Sequence, residues 1–318
     1  MATNTAPAEL SSDQLAAAEP SQISIIWRRF RKHKLAVFGL ITLIAMFLAC
    51  IIVPMISGYA YDQIDPQLVQ FADPSPQHWM GTDELGRDLL TRLLYAGRIS
   101  LFVGVSVTFV VVTIGAVYGA LAGYNPGIVD TVLMRFVDLL LSLPFLPLLL
   151  LLSVFFHALT DTWNVPGLLG FTGNDVKALV TILIILSLFG WLGISRLVRG
   201  SVLSLRNLDF VEATRALGAG APRIIFNHLL PNSLAPIIVA STLYVGEVIV
   251  LESALSFLGL GINPPTPSWG NMLNGVQEYM WNHPFLAFYP GFLILLTVLS
   301  INFMGDALRD ALDPRLKM

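Results

Sequence analysis

Residues 212–231 read Glu-Ala-Thr-Arg-Ala-Leu-Gly-Ala-Gly-Ala-Pro-Arg-Ile-Ile-Phe-Asn-His-Leu-Leu-Pro. They form a polar island between two long apolar runs, 178–198 and 233–259. Charges and irregular backbone are costly in hydrocarbon, so such an island belongs in water at a membrane face, where a soluble partner can reach it. Phe210 to Leu217 favours a helix, and Gly218-Ala219-Gly220 ends it with a residue able to take positive φ. Pro222 suits a first helical position, Ile224, Ile225 and Phe226 supply an apolar stripe, and Pro231 stops the element before the next run. The expected shape is a compact knob whose stripe needs a groove to bury it. An amphipathic loop lying on lipid headgroups fits the same residues.

The rest of the 318-residue chain makes the membrane reading compelling. It is 55% hydrophobic and 12% charged, against about 25% charged residues in ordinary soluble domains. The net charge of −3 gives no electrostatic footprint for nucleic acid. Cys50 is the single cysteine, so no internal disulfide forms, and no Cys/His cluster suggests a metal site. Residues 1–22, rich in Ala, Ser, Pro, Gln and Glu, read as a disordered tail. The basic stretch Arg28 to Lys34 precedes an apolar run too long for a cleavable signal, so that run is expected to be an uncleaved anchor.

Six runs have the length of a membrane span: 35–57, 99–123, 136–157, 178–198, 233–259 and 286–305. Asp130, Arg135 and Asp138 suggest that the third begins in the cytoplasm, Arg135 and Asp138 pairing as i,i+3 neighbours. Pro144 and Pro147 predict a kink in it. With the N-terminus inside, 14 of the 18 Lys and Arg fall on inner segments; only Arg87, Arg92, Arg98 and Lys177 lie outside. The positive-inside rule then places both termini, and the knob, in the cytoplasm. The outer segments are 58–97, 158–177 and 260–285. Trp269, Trp281, Phe285 and Tyr289 fit either an interfacial aromatic belt or a direct substrate or partner contact.

Catalytic signatures are missing. A phosphate-cradling loop needs Gly-Lys-Ser/Thr, and none of Lys32, Lys34, Lys177 and Lys317 follows a glycine. His-Glu-x-x-His and Gly-x-Ser-x-Gly do not occur, and the five histidines are scattered. No catalytic residue and no metal ligand are expected, and any ATP hydrolysis must come from another subunit. Intramembrane carboxylates are costly and usually functional. Glu247 and Glu252 lie five apart in the fifth span and point to roughly opposite sides. With Asp138 they are candidates for a pathway or for helix packing.

Glu212-Ala213-Thr214, Gly218 and Leu230-Pro231 resemble the EAA motif of ABC-importer membrane subunits. Further blocks resemble the C-type subunit of the dipeptide/oligopeptide/nickel permease family. They are Gly81-Thr82-Asp83-Glu84-Leu85-Gly86-Arg87-Asp88, Arg98-Ile99-Ser100-Leu101, Val129 to Arg135, Glu252 to Gly259, and Asp306 to Arg315. The resemblance covers about residues 25–318. It implies an all-α polytopic protein with six transmembrane helices and the fold of a type I ABC-importer transmembrane domain. The divisions would be a cytoplasmic tail (1–34), an anchor helix (35–57), an extracytoplasmic loop (58–97), a permease domain (98–305) and a C-terminal tail (306–318). Glu212, Ala213, Thr214, Gly218, Arg223, His228, Leu230 and Pro231, within the loop 203–232, would then couple the permease to its ATPases.

The implied partners are a homologous B-type permease, two ABC ATPase subunits that bind ATP and Mg, an extracytoplasmic solute-binding protein and the lipid bilayer. The implied location is the bacterial cytoplasmic (inner) membrane. Asp83, Arg87, Asp88 and Trp269 are candidates for contact with the binding protein. Thr214 replaces the motif's second alanine, the 158–177 loop is long for the family, and Glu247 is atypical. The same pattern serves peptides, nickel chelates, glutathione and oligosaccharides. An ion-coupled secondary transporter would instead show paired repeats with broken helices, and no such symmetry is visible; a membrane scaffold without transport is the third class.

Overall fold

The computed structural model describes residues 22–64, 70–160, 162–168 and 170–312. Most of the expected N-terminal tail, together with Asp65, Arg315 and Lys317, lies outside them. In chain order the helices are α1 (Gln22–Phe30), α2 (Lys34–Ile56), α3 (Leu89–Tyr124), α4 (Ile128–Leu141) and α5 (Phe145–Thr160). There follow α6 (Gly173–Leu205), α7 (Asp209–Ala216), α8 (Ala221–Ile224), α9 (Leu234–Phe257), α10 (Trp269–Met272) and α11 (Phe285–Leu312). Among the described residues five helices are long and apolar enough to cross a membrane: α2, α3, α6, α9 and α11.

The third run departs from expectation. It does not kink; it breaks into α4 and α5, which meet at 84°. Pro144 disfavours helical geometry in Leu143 and lacks the N–H that would continue the ladder. Ser142 closes α4, its hydroxyl donating to the Leu139 carbonyl at 2.6 Å. The pair makes a sixth span only if both halves are counted as one.

At 36 and 33 residues, α3 and α6 are about 50 Å long at 1.5 Å per residue, well beyond a hydrocarbon core of about 30 Å. Their pairing is the spine of the fold, made possible by Gly115, Gly119 and Gly123 at four-residue spacing on one face of α3. A Cβ on Gly119 would stand 3.0 Å from the Arg199 amide nitrogen and closer still to the Ser195 carbonyl oxygen. One on Gly123 would stand 2.9 Å from the Arg199 carbonyl oxygen. Helix α2 lies on α3 and α11, its Gly39 against the backbone of Ser300. Phe30, Ala36 and Ala307 tie α1 to the end of α11. The alternation of spans leaves α1, the α3–α4 turn, the knob and the end of α11 at one end of the molecule. The segments before α3, before α6 and before α11 lie at the other.

Candidate coupling surface

The knob is built by local rules. Helix α7 opens with Asp209 and Glu212 in its first turn, where the dipole favours acid, and has Arg215 in its last. Gly218 takes φ +83°, and the Gly218 and Ala219 amides return to the Arg215 and Thr214 carbonyls at 3.0 and 3.2 Å. No atom lies within 4 Å of a Cβ added at Gly218, so glycine is needed there for its backbone and not for space. Helix α8, with Pro222 in its first turn, continues through a wider π turn at Ile225–Leu229 and a last turn at Leu230–Asn232.

Val211, Ile224, Ile225 and Leu229 are buried in the main core. This corrects the expected stripe: Ile224 and Ile225 are already covered by the chain's own helices, and only Phe226 stays half-exposed. The outward face carries Glu212, Ala213, Gly218, Arg223 and Pro231, with Thr214, His228 and Leu230 half-buried at its margin. Leu217 stands at the tip, 89% exposed. The eight residues of the motif therefore share one knob, and a large apolar side chain crowns it.

The base of the knob is tied to the spine. The Arg215 guanidinium lies over the ring of Tyr124, the last residue of α3, at 5.9 Å. Arg199 of α6 donates to both carboxylate oxygens of Asp130 in α4 at 2.6 Å. Asp138 pairs with Arg196 of α6, not with Arg135 as expected. An i,i+3 contact competes here with a guanidinium presented across the helix interface, and the cross-helix partner wins.

At the opposite end the outer candidates are buried. Asp83 accepts from the Arg87 guanidinium at 2.7 Å and from the Leu85 and Arg87 amides. Asp88 caps α3 through the Thr91 amide and bonds the His78 ring at 2.8 Å. Asp83, Arg87, Asp88 and Trp269 are all under 7% exposed, and Trp269 donates its indole N–H to the Leu93 carbonyl. In this structure Asp83, Arg87 and Asp88 shape the loop that starts α3 and Trp269 packs on α3, so none of the four offers an exposed side chain. Trp269 leaves the aromatic belt for the same reason, whereas Trp281 and Phe285 are exposed.

Asp175, which the sequence reading passed over, gathers this end. It completes a capping box with Thr172 and accepts from the hydroxyls of Tyr95 at 2.8 Å, Thr266 at 2.6 Å and Tyr61 at 3.3 Å. Burial pushes the Tyr61 phenol above its usual range. Thr-x-x-Asp at 172–175 is the signal that marks it.

Glu252 and Glu247 separate as their spacing predicted. Glu252 is fully buried, accepting from Ser100 at 3.0 Å and Ser256 at 2.7 Å, while Ser256 also receives the Ile262 amide. Both of its carboxylate oxygens are thus bonded within the chain, one across to α3 and one along α9. Glu247 is exposed and lines a cavity of about 480 Å³ between the α4–α5 break, α6 and α9.

Residues 115–318 match the family described as binding-protein-dependent transport system inner membrane component. Residues 21–74 match the N-terminal TM domain of oligopeptide transport permease C. The dipeptide transport system permease protein of Bacillus subtilis is 42% identical over 92% of this chain and 85% of its own length. The oligopeptide transport system permease protein of the same organism is 38% identical over 91% and 88%. That of Haemophilus influenzae is 39% identical over 91% and 87%. Among solved structures, an inward-facing MetNI methionine ABC transporter chain aligns with TM-score 0.54 and 22% identity over 70% of this chain and 96% of its own. That likeness establishes the fold: the transmembrane domain of a type I ABC importer.

Proposed function

Because the chain belongs to the family of binding-protein-dependent transport inner membrane components, we propose that it is one of two permease subunits of an ABC importer for short peptides. A homologous permease completes the pathway, an extracytoplasmic binding protein delivers cargo, and two ATPases that bind ATP and Mg dock beneath it. The termini and the knob face the cytoplasm, as the distribution of Lys and Arg supports. ATP hydrolysis belongs to the partner subunits, since no phosphate-cradling loop occurs in this sequence. Peptide cargo is supported by the dipeptide and oligopeptide permeases that match over nearly the whole chain.

The observation that carries the mechanism is the knob. Its inner side is fixed in the core while Glu212, Leu217 and Arg223 are exposed. Closure of the ATPases moves this face. The tie from Arg215 to Tyr124 passes the movement to the α3–α6 spine as a rigid-body displacement, and the pair of Arg199 with Asp130 carries it on to α4. In this role Glu212 anchors the docking helix, Gly218 sets its angle and Pro231 ends it. Gly218→Asp in the reconstituted complex should abolish peptide uptake while leaving residual ATP hydrolysis uncoupled from it. Uptake-coupled hydrolysis equal to the wild type would refute the assignment.

A further inference from the structure

The α9 helix leaves Glu247, Val250 and Ala254 exposed along one face, spaced i, i+3 and i+7. Glu247 stands about 20 Å along the helix from its start at Leu234 and about 15 Å from its end, near mid-depth of the span. A carboxylate at that depth does not face lipid; it faces a water-filled path or a cationic partner. Among the described residues Glu247 has no hydrogen-bond or ion-pair partner within the chain. It opens on the cavity of about 480 Å³, whose other walls are leucine and phenylalanine side chains, such as Leu140, Phe145 and Phe189, together with Tyr244 one turn before it. Gly190 of α6 leaves the space that the Tyr244 phenol occupies, so this wall is formed by fitted packing. Apart from the Tyr244 hydroxyl these walls offer no polar side chain, so the carboxylate is the one charged group of the cavity, and it demands positive charge.

We propose that Glu247 is a specificity-determining residue of the translocation path, holding the cationic nitrogen of a passing peptide, first of all its protonated amino terminus. The site lies where the chain is broken: the 84° turn between α4 and α5 supplies one wall. A change in the angle between those helices therefore alters the room beside the carboxylate. Such a site reads charge: it accepts the amino terminus of any short peptide and favours one that carries a second cationic nitrogen on a side chain. The inference rests on the peptide-importer reading above.

The test uses the complete complex in proteoliposomes with ATP inside and saturating liganded binding protein outside. The cargoes are Ala-Lys-Ala and Ala-Glu-Ala, and the complexes are wild type, E247D, E247Q and E247K. Wild type should favour the lysine peptide; E247Q should lower that preference about tenfold, the factor that corresponds to about 1.4 kcal/mol. E247D should restore most of it, and E247K should invert it. The affinity of the complex for its binding protein should stay unchanged. An unaltered peptide ratio in E247Q and E247K overturns the inference while the importer reading stands. So does loss of the second permease from purified E247Q, because Glu247 would then be a subunit contact. A wild-type complex that moves neither peptide removes the importer reading and the inference with it.

Discussion

Replacing Gly119 with valine attacks the spine on which the whole mechanism depends. A Cβ at that position would stand 3.0 Å from the Arg199 amide nitrogen and nearer still to the Ser195 carbonyl oxygen, where ordinary van der Waals contact begins at about 3.4 Å. Both obstacles are backbone, so no rotamer change relieves them. Helices α3 and α6 must move apart by several tenths of an ångström or more. Overpacking of a filled interior costs about 1–3 kcal/mol, and an obstruction made of backbone belongs at the upper end. A loss of about 3 kcal/mol corresponds to a fall in Tm of about 6–12 °C for a chain of this order of size. Gly200 is the control: it lies in α6, the other helix of the pair, and nothing stands within 4 Å of an added Cβ. Gly200→Ala should leave Tm unchanged or raise it slightly, because alanine is the better helix former. The assay is thermal unfolding of the detergent-solubilised complex followed by tryptophan fluorescence. If Gly119→Val melts within about 1 °C of the wild type, the close packing of α3 on α6 is wrong.

Other perturbations report on separate parts of the structure. Asp175→Ala leaves three buried hydroxyls, of Tyr61, Tyr95 and Thr266, without their acceptor; the cost should be about 3 kcal/mol or more, and a melting curve unchanged from the wild type would refute the clasp. Glu252→Gln keeps an acceptor for one of the Ser100 and Ser256 hydroxyls and meets the other with an NH2 that can donate to it, and should retain uptake, whereas Glu252→Leu should lower stability by about 2–3 kcal/mol; equal loss of uptake in both, at unchanged Tm, would place Glu252 in the pathway instead. A double-mutant cycle of Arg199→Ala and Asp130→Ala should give a coupling of about 1 kcal/mol, since the guanidinium is bidentate and the carboxylate mostly buried; additive losses would deny the tie between α4 and α6.

The spans were legible in the sequence because apolar length is a direct physical requirement of the bilayer. The knob was legible because Gly218 and Pro222 punctuate it in ways the backbone obeys. What stayed hidden follows from ambiguity in single residues. Helix α3 begins ten residues before its apolar run, because Asp88 caps it and the charges of Asp83, Arg87 and Arg92 are spent inside the fold. In a sequence, charges paired internally look the same as charges facing water, which is why Asp83, Arg87 and Asp88 invite reading as a contact surface. Pro144 announced a disturbance in the third run but not its size, since neighbouring packing decides between a kink and an 84° break. Trp269 looked like an interfacial ring, yet Gly97 makes room for it: a Cβ there would stand 2.7 Å from its indole carbon. The Gly115-Gly119-Gly123 series was the readable sign of the spine, and a search for small residues at four-residue spacing finds it.

The central claim is that the knob meets an ATPase. A photo-crosslinking amino acid at Leu217, the 89% exposed tip, tests it in the assembled complex, with the same amino acid at Leu168, exposed at the opposite end, as the control. The account predicts that position 217 captures an ATPase subunit and that position 168 captures none. Capture of lipid or of the second permease alone from position 217, with no ATPase adduct, would contradict it.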